Sequence, residues 1–322
     1  MMIMQRLRIL IFLLKDAFKE FRKNDPLRFG SSTAFFTTFA LPPILVILTN
    51  LLGSLYGTKF ISAQLIQKLK TLFGTRGATQ LYIVINNIQH IPTHWSIAVG
   101  GMLFLIFVAT TLFIVVQKSL NELWHIRPRT GKKIRMMFRN RIISMAIILV
   151  SGLLFLISLF ADAALAYMGN NLYGILPDST ALLVRLANIF VSFIIVTVWF
   201  ALTFKYLPDA HIRWRPVWVG AAVTAFLFSI GKVILNRLLI NSNLGPIYGP
   251  SASVLLIMLF VFYASMILFY GASFTKSYAN YAAFKIKPKG YAVKYKMRIK
   301  EKQKKKKAGR DLSDEDKTIE AE

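Results

Sequence analysis

The side chains in this sequence that could do chemistry are ionisable groups set inside apolar runs. Asp162, Arg185, Lys232 and Arg237 each interrupt a stretch otherwise rich in Leu, Ile, Val, Phe and Ala. An ion in hydrocarbon surroundings is costly, so such a residue is by default a candidate for binding or moving something. One acid stands against three bases. Asp162 is expected to pair with Lys232 or Arg185, because an unpaired buried charge is hard to sustain. The positive charge left over would suit an anionic group such as a lipid phosphate or an organic anion. A plainer reading has Arg185 and Arg237, near the ends of their runs, reaching water along their own methylene stems. Asn236 and Tyr248 complete the set of candidate substrate-binding residues.

Catalytic constellations do not converge. A ribonuclease would need carboxylates gathered around metal ions, or an acid–base set built on His and Lys. The acids near the basic loops are scattered: Asp16, Glu20, Asp25, Glu122 and Asp209. His90 and His94 are four residues apart, but Pro92 interrupts the helix that would align them, and His125 and His211 lie far away in the chain. With no cysteine, thiolate catalysis, disulfides and cysteine-based metal sites are excluded. There is no phosphate-binding glycine loop of the ATPase type. No enzyme activity, metal or cofactor is expected.

The elements that must position the charges are long helices. The 322 residues are 55% hydrophobic, with a mean hydropathy of +0.53 and a net charge of +26. Six stretches of sufficient length to cross a bilayer of about 30 Å lie at 31–53, 96–118, 141–168, 181–206, 214–240 and 251–276. In a bilayer the backbone must satisfy its own hydrogen bonds, so an all-α polytopic bundle follows. Alternate connections are strongly basic: Lys118 to Arg139, Lys205 to Arg215, and the region after the last span. The connections at 169–180 and 241–250 carry no Lys or Arg. By the positive-inside rule both termini are cytoplasmic. Trp95, Trp124, Trp214 and Trp218 flank spans, where amphipathic rings prefer the interface.

Three further segments have a character of their own. Arg6 to Arg22 reads as an amphipathic helix, with Leu7, Leu10, Ile11, Leu14, Phe18 and Phe21 opposite Arg8, Lys15, Lys19 and Lys23. It lies either on the membrane surface or against the protein's own loops. Residues 54–95 are expected to hold two short helices, Phe60–Phe73 and Gln80–Ile88, capping the outer face. Residues 281–322 form a tail, basic and then acidic, that is largely disordered. Its stretch 285–310 holds thirteen Lys or Arg and one Glu. Such blocks cannot bury enough apolar surface to fold, but a strip of this kind near a bilayer attracts anionic lipid.

Several short motifs occur in a telling order. Ser32-Thr33-Ala34-Phe35-Phe36-Thr37-Thr38-Phe39-Ala40-Leu41-Pro42-Pro43 opens the first span, and Gln117-Lys118-Ser119-Leu120-Asn121-Glu122-Leu123-Trp124 ends the second. Lys205-Tyr206-Leu207-Pro208-Asp209 precedes Trp214-Arg215-Pro216 and Gly220-Ala221, followed by Tyr248-Gly249 and Tyr270-Gly271-Ala272. Over about residues 15–280 this resembles the YihY/BrkB family of bacterial inner-membrane proteins, once labelled ribonuclease BN. The family commonly has Gly-Ala-Glu at the end of span six, where this chain has Gly271-Ala272-Ser273. The resemblance implies the bacterial cytoplasmic membrane and leaves activity poorly defined.

The motif residues also have physical readings. Pro42 and Pro43 should kink their helix. Gln117 and Asn121, one turn apart, can bond across helices. Gly220 and Thr224 offer a small face for close helix approach. Pro208, Asp209, Gly249 and Gly271 are placed with them as packing positions. The functional expectation is transport of a lipid or other anionic amphiphile across or within the membrane. The alternatives are a membrane scaffold without transport and, less favoured, a ribonuclease. Membrane lipids are the expected partners, with anionic lipid at the basic tail and no specific nucleic acid.

Overall fold

A computed structural model describes residues 2–89, 95–128, 133–173, 177–241 and 252–295. The described residues form eight helices: α1 (Met2–Lys23), α2 (Pro26–Tyr56), α3 (Thr58–Gln89), α4 (Trp95–Leu123), α5 (Lys133–Tyr173), α6 (Pro177–Tyr206), α7 (Trp214–Asn241) and α8 (Ala252–Tyr281). Four very short strands accompany them: β1 (Ile126–Pro128), β2 (Ala210–His211), β3 (Lys287–Pro288) and β4 (Ala292–Lys294).

Six of the helices, α2 and α4 to α8, are long and apolar enough to cross a membrane. They pack as a ring in the order α2, α8, α7, α6, α5, α4 and back to α2. The outward faces of the ring remain oily. On α5 the exposed residues Ile142, Met145, Leu149, Leu153 and Ile157 recur at helical spacing, and on α6 so do Leu182, Leu186, Ile189 and Phe190. An apolar surface of this extent marks contact with lipid or protein rather than water.

Close approach of α7 and α8 rests on absent side chains. A Cβ on Gly220 would stand 1.8 Å from Thr275 Oγ1, and one on Gly271 would stand 1.8 Å from Thr224 Oγ1. The small face expected at Gly220 and Thr224 therefore meets a matching one at Gly271 and Thr275. Pro42 and Pro43 sit inside α2, which continues through them. Trp124 is buried and donates from its indole N–H to the carbonyl of Ala272 at 3.1 Å, tying the end of α4 to α8.

One expectation needs correction. The segment 54–95 holds one helix of 32 residues where two short ones were expected. Ile61, Leu65, Leu69, Ala78 and Leu81 form its buried stripe, and it packs across α2, α8 and α7. The first residues of the tail carry structure of their own. β4 pairs antiparallel with β1, Ile126 facing Lys294 and Pro128 facing Ala292, while β3 pairs with β2. Residues 284–295 thus form a strap that stitches the α4–α5 connection to the α6–α7 turn. The strand patches are too short, and the stretch too rich in lysine, for an alternating apolar pattern to show. Residues beyond 295 lie outside the described residues.

Candidate functional site

The charged candidates fall at the end of the ring opposite the basic loops. Asp162, near the end of α5, pairs with Lys68 of α3, whose ammonium also reaches Ser158 Oγ at 3.0 Å. Among the described residues the partner of Asp162 is thus Lys68 and not Lys232, while the Arg185 side chain lies outside them. The physical reason is α3, which lies across the bundle and carries a lysine to the acid. Lys68 was legible in principle, since it falls three residues after Leu65 and seven after Ile61, on the buried face of the helix.

Lys232 of α7 is half-buried and lies close enough to Lys68 for the two ammonium groups to repel. One turn of α7 is shaped around this point. A Cβ on Gly231 would stand 1.8 Å from the Tyr263 hydroxyl, so the phenol of α8 rests against the α7 backbone beside Lys232. Lys68, paired with Asp162, thus brings a second cation close to Lys232 within the bundle. Arg237 is exposed. The side chains of Arg185 and Asn236, and all of Tyr248 and Gly249, lie outside the described residues.

At the basic-loop end the motif residues Gln117, Asn121, Pro208 and Asp209 come together. The Asp209 side chain is 1% exposed. Its carboxylate accepts from Asn121 Nδ2 at 2.9 Å, Gln117 Nε2 at 3.3 Å, Arg139 at 2.9 Å and the Tyr291 hydroxyl at 3.1 Å. Asn121 returns the contact by accepting from the Asp209 backbone N–H at 2.8 Å. A buried carboxylate with so many donors is a satisfied one, as such groups must be. The Arg139 guanidinium lies 3.6 Å from the centre of the Tyr291 ring. Burial, followed by the charge of Asp209, pushes the Tyr291 hydroxyl well above the usual phenol range. Burial also lowers Lys289, and Arg139 and Lys205 add to that against the opposing pull of Asp209. Lys289 donates to the Pro208 carbonyl at 2.8 Å.

Arg139, Lys289 and Tyr291 escaped the sequence reading as site residues because the first, near the start of α5, belongs to a basic stretch whose charge explains itself by topology. The other two sit in the expected tail. Ser273, at the position of the family's usual Glu, is fully buried, and its hydroxyl has no hydrogen-bond partner among the described residues.

A second polar set pins α1. Lys276 donates to Glu20 Oε1 at 2.6 Å and to the Leu123 carbonyl at 2.9 Å, and His125 stands 3.7 Å from the same carboxylate. Burial works to raise Glu20, but Lys276, His125 and Lys23 together hold it below the ordinary range. The buried stripe of α1 is Leu13, Ala17 and Phe21, against Phe274 and Tyr270 of α8, while Leu10, Ile11, Phe12 and Phe18 stay exposed. Of the two placements open for this helix, packing on the protein holds for one face, and a second apolar face is left over.

The sequence matches the family described as virulence factor BrkB over residues 17–294. It is similar to the UPF0761 membrane protein of Chromohalobacter salexigens, 24% identical over 268 residues, which cover 83% of this chain and 63% of that protein. The UPF0761 membrane protein of Delftia acidovorans is 23% identical over 181 residues, or 56% of this chain and 41% of that protein. That of Teredinibacter turnerae is 21% identical over 274 residues, 85% and 62% of the two chains. The match thus spans less than two-thirds of the length of these relatives. No solved structure matches. The family match begins within α1 and ends in β4, so it takes in the whole ring and the strap, and the chain belongs to the virulence factor BrkB family of membrane proteins.

Proposed function

We propose that this protein binds a lipid or other anionic amphiphile and carries it across or within the bacterial cytoplasmic membrane. It does so without enzymatic chemistry, and with both termini in the cytoplasm. The observation that carries the reading is Lys232, a half-buried cation inside the bundle whose charged neighbour among the described residues is a second cation, Lys68, itself paired with Asp162. A surplus cation at that depth is costly unless something anionic visits it. Arg185 and Arg237 are candidates to extend the same field toward the end of the ring. The orientation rests on the basic loops at 124–139 and 205–215 lying on one side.

The test is reconstitution of the purified chain into liposomes bearing a fluorescent anionic phospholipid, with dithionite bleaching to count lipid that changes leaflet. Faster exchange than in protein-free vesicles is expected. Lys232→Met should slow it by roughly tenfold, equivalent to about 1.4 kcal/mol in holding the headgroup. Exchange no faster than in empty vesicles, for lipid and for small organic anions alike, would leave the scaffold reading in its place. Magnesium- or manganese-dependent cleavage of RNA by the same sample would restore the nuclease.

A further inference from the structure

The amphipathic helix α1 and Tyr270 of α8 line an open groove of about 720 Å³ that none of the foregoing uses. Apolar and cationic side chains run side by side along it, and the cations gather toward its later end. Ile11, Leu14 and Phe18 of α1 and Tyr270 of α8 line the apolar part, while Lys15, Lys19, Arg22 and Lys23 line the rest. The α1 positions recur every three or four residues from 11 to 23, so they form one continuous stripe of the helix. The acids of α1 stay off this stripe, and Glu20 is already held by Lys276.

The direction of the gradient follows from two contacts. The Tyr270 hydroxyl donates to the Leu14 carbonyl at 3.0 Å, and Lys276 binds Glu20 six residues further along both helices. The later residues of α1 therefore lie toward the basic-loop end of α8. Tyr270 lies about three helical turns before Tyr281, where the apolar span of α8 closes. The oily part of the groove thus lies level with the interior of the span, and the cationic part rises to its basic-loop end. A phospholipid in the adjacent leaflet has the same polarity, with its chain inward and its phosphate at the surface. The exposed Phe12 beside the groove fits immersion of this helix at the boundary between headgroups and acyl chains.

We infer that the α1–α8 groove is a binding site for one anionic phospholipid of the leaflet on the basic-loop side. The acyl chain lies along Ile11, Leu14, Phe18 and Tyr270, and the phosphate is held by Lys19, Arg22 and Lys23. This site is separate from the Lys68–Lys232 cluster at the other end of the ring and stands whether or not that cluster moves lipid.

Native mass spectrometry of the full chain in detergent tests it, by titration with phosphatidylglycerol and with phosphatidylcholine of the same acyl chains. The wild-type chain should retain one phosphatidylglycerol well before any phosphatidylcholine. Replacing the three phosphate-holding cations of the groove together, Lys19→Gln, Arg22→Gln and Lys23→Gln, should weaken that first binding by roughly a hundredfold. The matched triple Arg213→Gln, Arg215→Gln and Lys287→Gln removes the same charge from exposed positions at the same end and should leave it unchanged. The wild-type melting midpoint in both triples shows that the fold is kept. Equal loss in the two triples, equal retention of both lipids by the wild type, or undiminished binding in the groove triple would each overturn the site.

Discussion

Asp209 shows how one residue can hold the basic-loop end together. Its carboxylate collects donors from α4, the start of α5 and the strap, three pieces far apart in sequence. Asp209→Asn keeps the shape but discards the charge that faces Arg139. Because that guanidinium is partly exposed, the cost falls short of a fully buried broken pair, and about 2 kcal/mol is expected. Tyr291→Phe removes a single hydrogen bond and should cost about 1 kcal/mol. Thermal unfolding in detergent reads both, and equal midpoints for wild type and Asp209→Asn would show that the hub is decorative. Glu20 gives a pH dependence of definite sign. Its carboxyl is depressed in the fold, so the stability it lends is present above the ordinary Glu pKa of 4.5 and fades as pH falls below that value. Exchange of the amides of α1 should accelerate on acidification below about pH 4.5 in the wild type, and the dependence should flatten in Glu20→Gln.

At the scale of elements, the contact of α7 with α8 and the end of α8 are the exposed points of failure. Gly220→Ala would press a methyl on Thr275, whose backbone Cα also lies 3.2 Å from the new atom, so the helices must part. An overpacked contact of this kind costs about 1–3 kcal/mol. Ala283 follows α8 in the left-handed region with φ 56°, and the Phe284 N–H closes back on the Ala279 carbonyl at 2.8 Å. Glycine is the residue suited to that position, so Ala283→Gly should stabilise by about 0.5–1 kcal/mol, seen as a higher melting midpoint. The same comparison shows what a sequence makes legible. The six apolar helices announce themselves because hydrocarbon permits few other compositions. α3 does so only in part, because its mixed face of Lys, Gln and Thr suits two short surface helices as well as one long helix laid across a bundle. The strap is hidden for a different reason. Strands of two and three residues take their stability from the partners they meet, and those partners are loops whose own fold no local pattern reports.

For the whole molecule, every functional statement depends on which side of the membrane each end of the ring faces. The basic connections, the Asp209 hub, the strap and the α1–α8 groove share one end, while the Lys68–Asp162 pair and Lys232 belong to the other. If lysine and arginine keep their loops on the inner side, the groove faces the cytoplasmic leaflet, and the charged cluster lies toward the outer one. The two lipid-directed sites would then face opposite leaflets, as a carrier that accepts an anionic lipid on one side and releases it on the other requires. Reporter tags inserted near residues 130 and 174 decide this. A cytoplasmic reporter should be active at 130 and silent at 174, and an exported one should give the reverse. Because α5 alone joins the two positions, finding both tags on one face would mean that this helix does not cross. The cluster at its far end would then sit beside the groove, with no second leaflet to serve.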